Sequence, residues 1–244
     1  MSDDTLKELY RGLPRKERIK YTKKAFKMIP YIDKPEILDI GCGTGEPTLE
    51  LARLSGGKVT GLDINQESLN ELERGAKELN LSTRVKTIKC SMFEMNFPDE
   101  YFDIIWSEGS IYLIGFEKAL KDWRKFIRLE GFLVIHEMCY LETDPPPEIR
   151  NYWKRVYSGI RTIEGNLEVI PECGYKIVGY FPLPVDAWSK LYFKPLQDRI
   201  ENTREKYSNN DKVIEILNKE QKEVELYNKY YKWYGSAFYI MHKK

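Results

Sequence analysis

The clearest chemical signal is a glycine turn followed, one strand later, by a carboxylate. Gly41, Gly43 and Gly45 close the apolar run at 36–41 and lead into an amphipathic stretch at 47–55. A strand that turns on glycines into a helix lets the backbone approach a ligand, because glycine adopts dihedrals barred to other residues. Asp63 ends the next apolar run, at 58–64, 22 residues past Gly41. A carboxylate at that strand tip can accept hydrogen bonds from both hydroxyls of a ribose. Alone, Asp63 reads as a residue beside a helix N-cap. Behind the glycine turn it reads as a ribose ligand.

The spacing separates two kinds of nucleotide ligand. Dinucleotide sites use GxGxxG, with the third glycine close to the helix and the helix N-terminus facing pyrophosphate. Here the turn is GxGxG, and Glu46 stands where the third dinucleotide glycine would be. A carboxylate there repels pyrophosphate but tolerates a ligand with a cationic amino acid end. A nicotinamide dehydrogenase is therefore opposed by the spacing.

These residues need a scaffold, and the pattern supplies one. Short apolar runs at 36–41, 58–64, 84–91, 103–108 and 132–138 read as strands, with helices at 47–55, 66–80 and 116–127 between them. Gly131 is expected to turn the chain into the fifth strand. Strands buried on both faces and alternating with helices imply right-handed crossovers and a doubly wound, mostly parallel α/β sheet. Beyond 140 the alternation is interrupted by the prolines at 145–147 and a helix bearing Tyr152, Trp153 and Tyr157. A short helix, a cap at Gly174 and a sixth strand follow at 167–181, then a charged helical stretch at 186–234 and a last strand at 235–243. One or two amphipathic helices are expected at 5–29, the second able to begin at Pro14, with a basic face at 15–27 that reads as solvated. No repeat or linker divides the chain, so one domain over 1–244 is expected. It would carry N-terminal helices at 1–30 and helical insertions at 140–160 and 184–234.

With these motifs in place, the sequence resembles the class I S-adenosylmethionine-dependent methyltransferases, in their ubiquinone-biosynthesis-like small-molecule branch. ILDIGCGTG at 37–45, Asp63, the segment 90–112 and RLEGFLVIHE at 128–137 carry the resemblance, which is close over 35–139. It implies a seven-stranded sheet whose last strand is antiparallel, and S-adenosylmethionine as cofactor with S-adenosylhomocysteine as product. It also implies roles by position. Asp39 and the backbone of Gly41, Cys42 and Gly43 would meet the cofactor's amino acid end, and Asp63 its ribose. Ile64 would pack on adenine beside the loop of Ser91 and Met92, and Ser107 would face the methionine portion. The family often has Asp where this chain has Ser91, and the alternative reading of Met92 is simple core packing.

Ligands of doubly wound sheets lie beyond the carboxyl ends of the strands. Both insertions emerge there and could cover the site. Tyr112, Tyr152, Trp153 and Trp188, with Tyr157 and Tyr192, are candidates for the substrate wall, although any one could simply pack between helices. Glu108, at the end of the fourth strand, is the candidate catalytic residue, as substrate contact or base; its bland reading is a loop carboxylate. The segment after that strand reads SEGS, without an NPPY-type tetrapeptide or a Pro-Cys pair, and this favours a small-molecule acceptor.

Composition bounds the alternatives. Lys and Arg number 39 against 38 Asp and Glu, which gives no electrostatic reason to expect nucleic acid or anionic membrane. Four scattered cysteines without a CxxC pair, and only two histidines, argue against a metal site and for a reducing, cytoplasmic setting. No apolar run approaches the roughly 18 residues of a membrane span. Three readings stay open beside the small-molecule enzyme: an RNA or protein methyltransferase docking through 15–27, a non-catalytic cofactor-binding protein, and the disfavoured dehydrogenase.

Overall fold

The computed structural model describes Leu9, Tyr10 and residues 15–244. Pro14 and most of the first expected N-terminal helix lie outside the described residues. The second helix is present at Ile19–Phe26 (α1), after a 3-10 turn at Arg15–Arg18. Its basic side is partly used in packing rather than wholly solvated. Lys23 pairs with Glu50 at 3.4 Å, and the Lys24 ammonium lies 3.9 Å from the centroid of the Phe181 ring.

The central strands are Glu36–Ile40 (β1), Lys58–Asp63 (β2), Val85–Lys89 (β3), Phe102–Glu108 (β4) and Ile127–Tyr140 (β5). Tyr175–Pro182 (β6) and Tyr234–Lys243 (β7) complete a seven-stranded sheet in the order β3-β2-β1-β4-β5-β7-β6. All neighbours pair in parallel except β7, which runs antiparallel to both β5 and β6. The helices between strands are Glu46–Ser55 (α2), Gln66–Glu78 (α3) and Phe116–Trp123 (α4). The expected helix at 116–127 stops early, because β5 begins at Ile127. Gly131 does not turn a helix into a strand. It lies inside β5, where pairing shifts from Phe102–Ile127 to Ile104–Phe132 as a bulge forms beside Glu130 at φ 61°.

Period-two alternation sorts the apolar side chains to the two faces of the sheet. Ile37, Ile104, Trp106 and Val134 pack on the side that carries Ala25, Leu51 and Ala76 of α1, α2 and α3. Leu38, Ile105, Leu133 and Ile135 pack on the other, with Leu120, Trp123 and Ile170. The helix bearing Ile170, Ile163–Glu172 (α6), is N-capped by Thr162, whose side chain accepts from the Gly165 amide, and Gly174 follows it at φ 82°.

A third core lies over the carboxyl ends of the strands. It joins Pro147–Val156 (α5) to Val185–Trp188 (α7), a π turn at Ser189–Phe193, Lys194–Lys206 (α8) and Asp211–Tyr230 (α9). Ile149, Trp153, Phe193, Leu196, Leu217, Val224 and Tyr227 are among its buried members. Leu9 packs into the same core, so the N-terminal segment reaches the covering helices.

Candidate functional site

The chain between β1 and α2 makes the glycine turn with Gly41, Gly43 and Gly45 at φ 71°, 54° and 87°. Its amides are already committed. Those of Gly41 and Cys42 both donate to the Leu62 carbonyl, at 2.8 and 3.1 Å. Gly43 donates to Asp63 Oδ2 at 2.9 Å, and Gly45 to the Cys42 carbonyl at 3.0 Å. Phosphate recognition at such a turn depends on free N–H groups. This turn keeps those four for itself, which agrees with Glu46 in excluding pyrophosphate.

Asp63 ends β2 facing the turn, and Oδ1 accepts the Asn65 amide at 2.8 Å. A carboxylate has about four lone-pair sites, so acceptor capacity is left for hydroxyl donors from a ligand. Ser110 closes the wall beside the turn. Its hydroxyl donates to the Ile40 carbonyl at 3.0 Å and stands 2.8 Å from the Ser107 hydroxyl. A Cβ on Gly41 would lie 2.4 Å from Ser110 Oγ, so only glycine fits there.

These residues border a cavity of about 720 Å³ at the carboxyl ends of β1, β2, β4 and β5. Of the residues expected from sequence, Gly41, Cys42, Gly43, Asp63, Ile64, Ser91, Met92, Glu108, Tyr112, Trp153 and Trp188 line it. Ile64 is 67% exposed, leaving an apolar face open to a flat ring. Three expected residues stand behind the wall. Asp39 is buried and takes the Thr48 hydroxyl at 2.6 Å; burial, with the Glu108 and Asp63 carboxylates nearby, raises its carboxyl to about 7 despite that bond. Ser107 is fully buried behind Ser110. Tyr152 packs edge-on against Trp153 in the covering core and does not line the cavity.

Glu108 is placed at the boundary between the cavity and the N-terminal helix. Its Oε1 accepts both the Thr22 hydroxyl and the Trp106 indole N–H, each at 2.8 Å. Burial raises its pKa, opposed by those two bonds and by the Arg18 guanidinium. Glu108 is thus a latch between β4 and α1 as well as a wall residue.

Two neighbours in β5 were not singled out from sequence. The β4–β5 register sets His136 opposite Glu108, on the same face of the sheet. His136 Nε2 is 2.7 Å from Ser236 Oγ, which also accepts the Trp188 indole N–H at 2.8 Å. The serine's own hydrogen is satisfied when it donates to Nε2, and this leaves the imidazole proton on Nδ1. Nδ1 has no hydrogen-bond partner among the described residues, and burial holds the ring neutral.

Glu137 points to the opposite face. It is 1% exposed, its Oε1 accepts the Met138 amide at 2.5 Å, and Oε2 has no partner among the described residues. Burial pushes its carboxyl up to about 8, against the opposing pull of the Met138 and Tyr112 amides. The signal that could have found it is positional: β2, β4 and β5 each carry an acid near the carboxyl end.

That environment has a consequence for stability. An ordinary glutamate ionises near 4.5, whereas folded Glu137 keeps its proton to about 8. Between those values the unfolded chain releases a proton that the folded chain retains, so this residue costs stability as pH rises through the window. Glu137→Gln is expected to match wild type near pH 4 and to melt several degrees higher at pH 8, since each kcal/mol moves Tm by about 2–4 °C in chains of this size. Thermal unfolding at the two pH values checks this; a constant offset would count against it.

Residues 37–131 match the family described as a methyltransferase domain. A sterol 24-C-methyltransferase of Gibberella zeae is 30% identical over 110 residues, which are 45% of this chain and 28% of that protein. The chain thus spans under a third of that relative's length. Among solved structures, YjhP of E. coli superposes with a TM-score of 0.82 at 20% identity, covering 98% of this chain and 97% of that one. An S-adenosylmethionine-dependent methyltransferase of Geobacter sulfurreducens, solved with S-adenosylhomocysteine, gives 0.78 at 18% identity, covering 93% and 91%. At these identities the two structures establish the shared fold.

Proposed function

We propose that this chain, whose residues 37–131 belong to the methyltransferase domain family, transfers the methyl group of S-adenosylmethionine to a small-molecule acceptor. The observation that carries the reading is the turn itself. Asp63 keeps acceptor capacity beside a glycine turn whose amides are committed, and both open into one cavity with an aromatic far wall. A ribose with a cationic amino acid end and no phosphate fits that wall.

When bound, the cofactor supplies a methyl group already activated on sulfur. The chain's own task is to bind, align and keep water out. Asp63 takes the ribose hydroxyls, Ile64 and Met92 offer apolar surface to the adenine, and Gly41 lets the ligand lie close to β1. The covering helices bring Trp153, Tyr157, Trp188 and Tyr192 over the cavity. Alignment of this kind supplies roughly 7–11 kcal/mol in favourable cases. Above about pH 8, where Glu137 is ionised, its Oε2 takes a proton leaving the acceptor, while its other oxygen is fixed by the Met138 amide. Glu108 holds α1 against the mouth of the chamber and sets the charge there with Arg18.

The test is transfer of labelled methyl from S-adenosylmethionine into cell extract, followed by fractionation. Label in the small-molecule fraction is the expected result. Label confined to protein or RNA would overturn the choice of acceptor.

A further inference from the structure

The acceptor end of the cavity is acidic and aromatic, and short of cations. Glu108, Glu137 and Glu223 all line it, whereas Arg18 is the one lysine or arginine among the described residues that does. Arg18 stands near Glu108 and lies with its guanidinium 4.8 Å from the centroid of the Trp188 ring. No cationic side chain among the described residues acts on Glu137 or Glu223. The two line one cavity together with Tyr112, Tyr157, Tyr192 and Tyr234.

Unpartnered polar atoms mark the same wall. Glu137 Oε2, Trp153 Nε1 and the Tyr234 hydroxyl are buried with no hydrogen bond among the described residues. Leaving such groups unpaired is costly unless a ligand completes them. Above about pH 8, where Glu137 and Glu223 are ionised, an anionic ligand would face them without a matching cation. A purely apolar one would leave Oε2 unsatisfied. An ammonium donates to carboxyl oxygens and is attracted to aromatic rings.

We propose that the substrate of this site is an organic amine, its protonated nitrogen held between Glu137 and Glu223 and its apolar part against Tyr112, Tyr157 and Trp153. The proposal rests on the methyl-transfer reading and gives its substrate class.

Three probes of one shape test it by calorimetry at pH 9, where both carboxyls are ionised, on the full chain saturated with S-adenosylhomocysteine: 3-phenylpropylamine, 3-phenylpropan-1-ol and 3-phenylpropanoate. The amine is expected to bind about tenfold or more tighter than the alcohol, the worth of one charge-assisted hydrogen bond, with the carboxylate weakest. Glu137→Gln and Glu223→Gln should each remove most of the amine's advantage and leave alcohol binding within a few fold. Glu223 lies on a covering helix, so its variant remains informative if Glu137→Gln fails to fold. Absence of amine binding, an alcohol or carboxylate that binds as well, or an unchanged preference in both variants would overturn the proposal. Repeating the titrations without S-adenosylhomocysteine keeps the two readings apart. If that compound itself does not bind, the methyl-transfer reading fails while the amine preference is still read.

Discussion

Asp63→Ala is expected to lower S-adenosylhomocysteine affinity a hundredfold or more and to leave the fold intact. Two ribose hydroxyls donating to a charged acceptor contribute about 1.5–3 kcal/mol each. Asp63 also accepts the Gly43 amide, so the variant frees the turn as well as removing the ligand's partner. The residue is only partly buried at the tip of β2, outside the packed faces of the sheet. Far-UV circular dichroism and the melting temperature should therefore change little. Affinity within a few fold of wild type, in a folded variant, would remove the ribose role from Asp63.

The second large effect is expected from one methyl group. Gly41→Ala would place a Cβ 2.4 Å from Oγ and 2.5 Å from Cβ of Ser110, in a residue at φ 71°. Ser110 cannot readily retreat, because it is tied to the Ile40 carbonyl and the Ser107 hydroxyl. The left-handed conformation costs roughly 1–2 kcal/mol and the overpacking about 1–3 kcal/mol more. The turn is expected to relieve this by moving into the cavity, with a tenfold or greater loss of S-adenosylhomocysteine affinity. Adding Ser110→Gly removes both close contacts but not the strained dihedral, so the double variant should recover part of the loss. Full affinity in Gly41→Ala would show that the ligand does not lie against this turn.

The scaffold was legible because its signals are local. Runs such as EILDI and FLVIHEM are apolar on both faces, as strands between two helical layers must be, and they were placed within a few residues. Ile127 to Gly131 was misread, because a bulge driven by cross-strand pairing has no periodic signature. The glycine turn and Asp63 were legible for the same reason as the strands: each occupies a sequence-local junction.

The acceptor side was less legible because contacts distant in sequence build it. Nothing in the neighbourhood of Glu108 announces that Thr22, 86 residues earlier, donates to it. Glu223 reaches the cavity from a helix whose surface is mostly charged, so its burial is invisible in the pattern. Some of the site could still have been read. Ile149, Tyr152, Trp153 and Val156 fall at i, i+3, i+4 and i+7 of α5, which marks one inward face but does not separate Trp153, which lines the cavity, from Tyr152, which does not. Alternation along β5 likewise sends His136 and Glu137 to opposite faces, each with one buried polar atom left unpartnered.

The central claim is that the glycine turn and Asp63 bind a nucleoside carrying an amino acid and no phosphate. Calorimetric titration with S-adenosylhomocysteine and, in parallel, with NADH tests it directly. Saturable one-to-one binding of S-adenosylhomocysteine with no measurable heat from NADH is the expected result. Saturable binding of NADH, or none of S-adenosylhomocysteine, would contradict it.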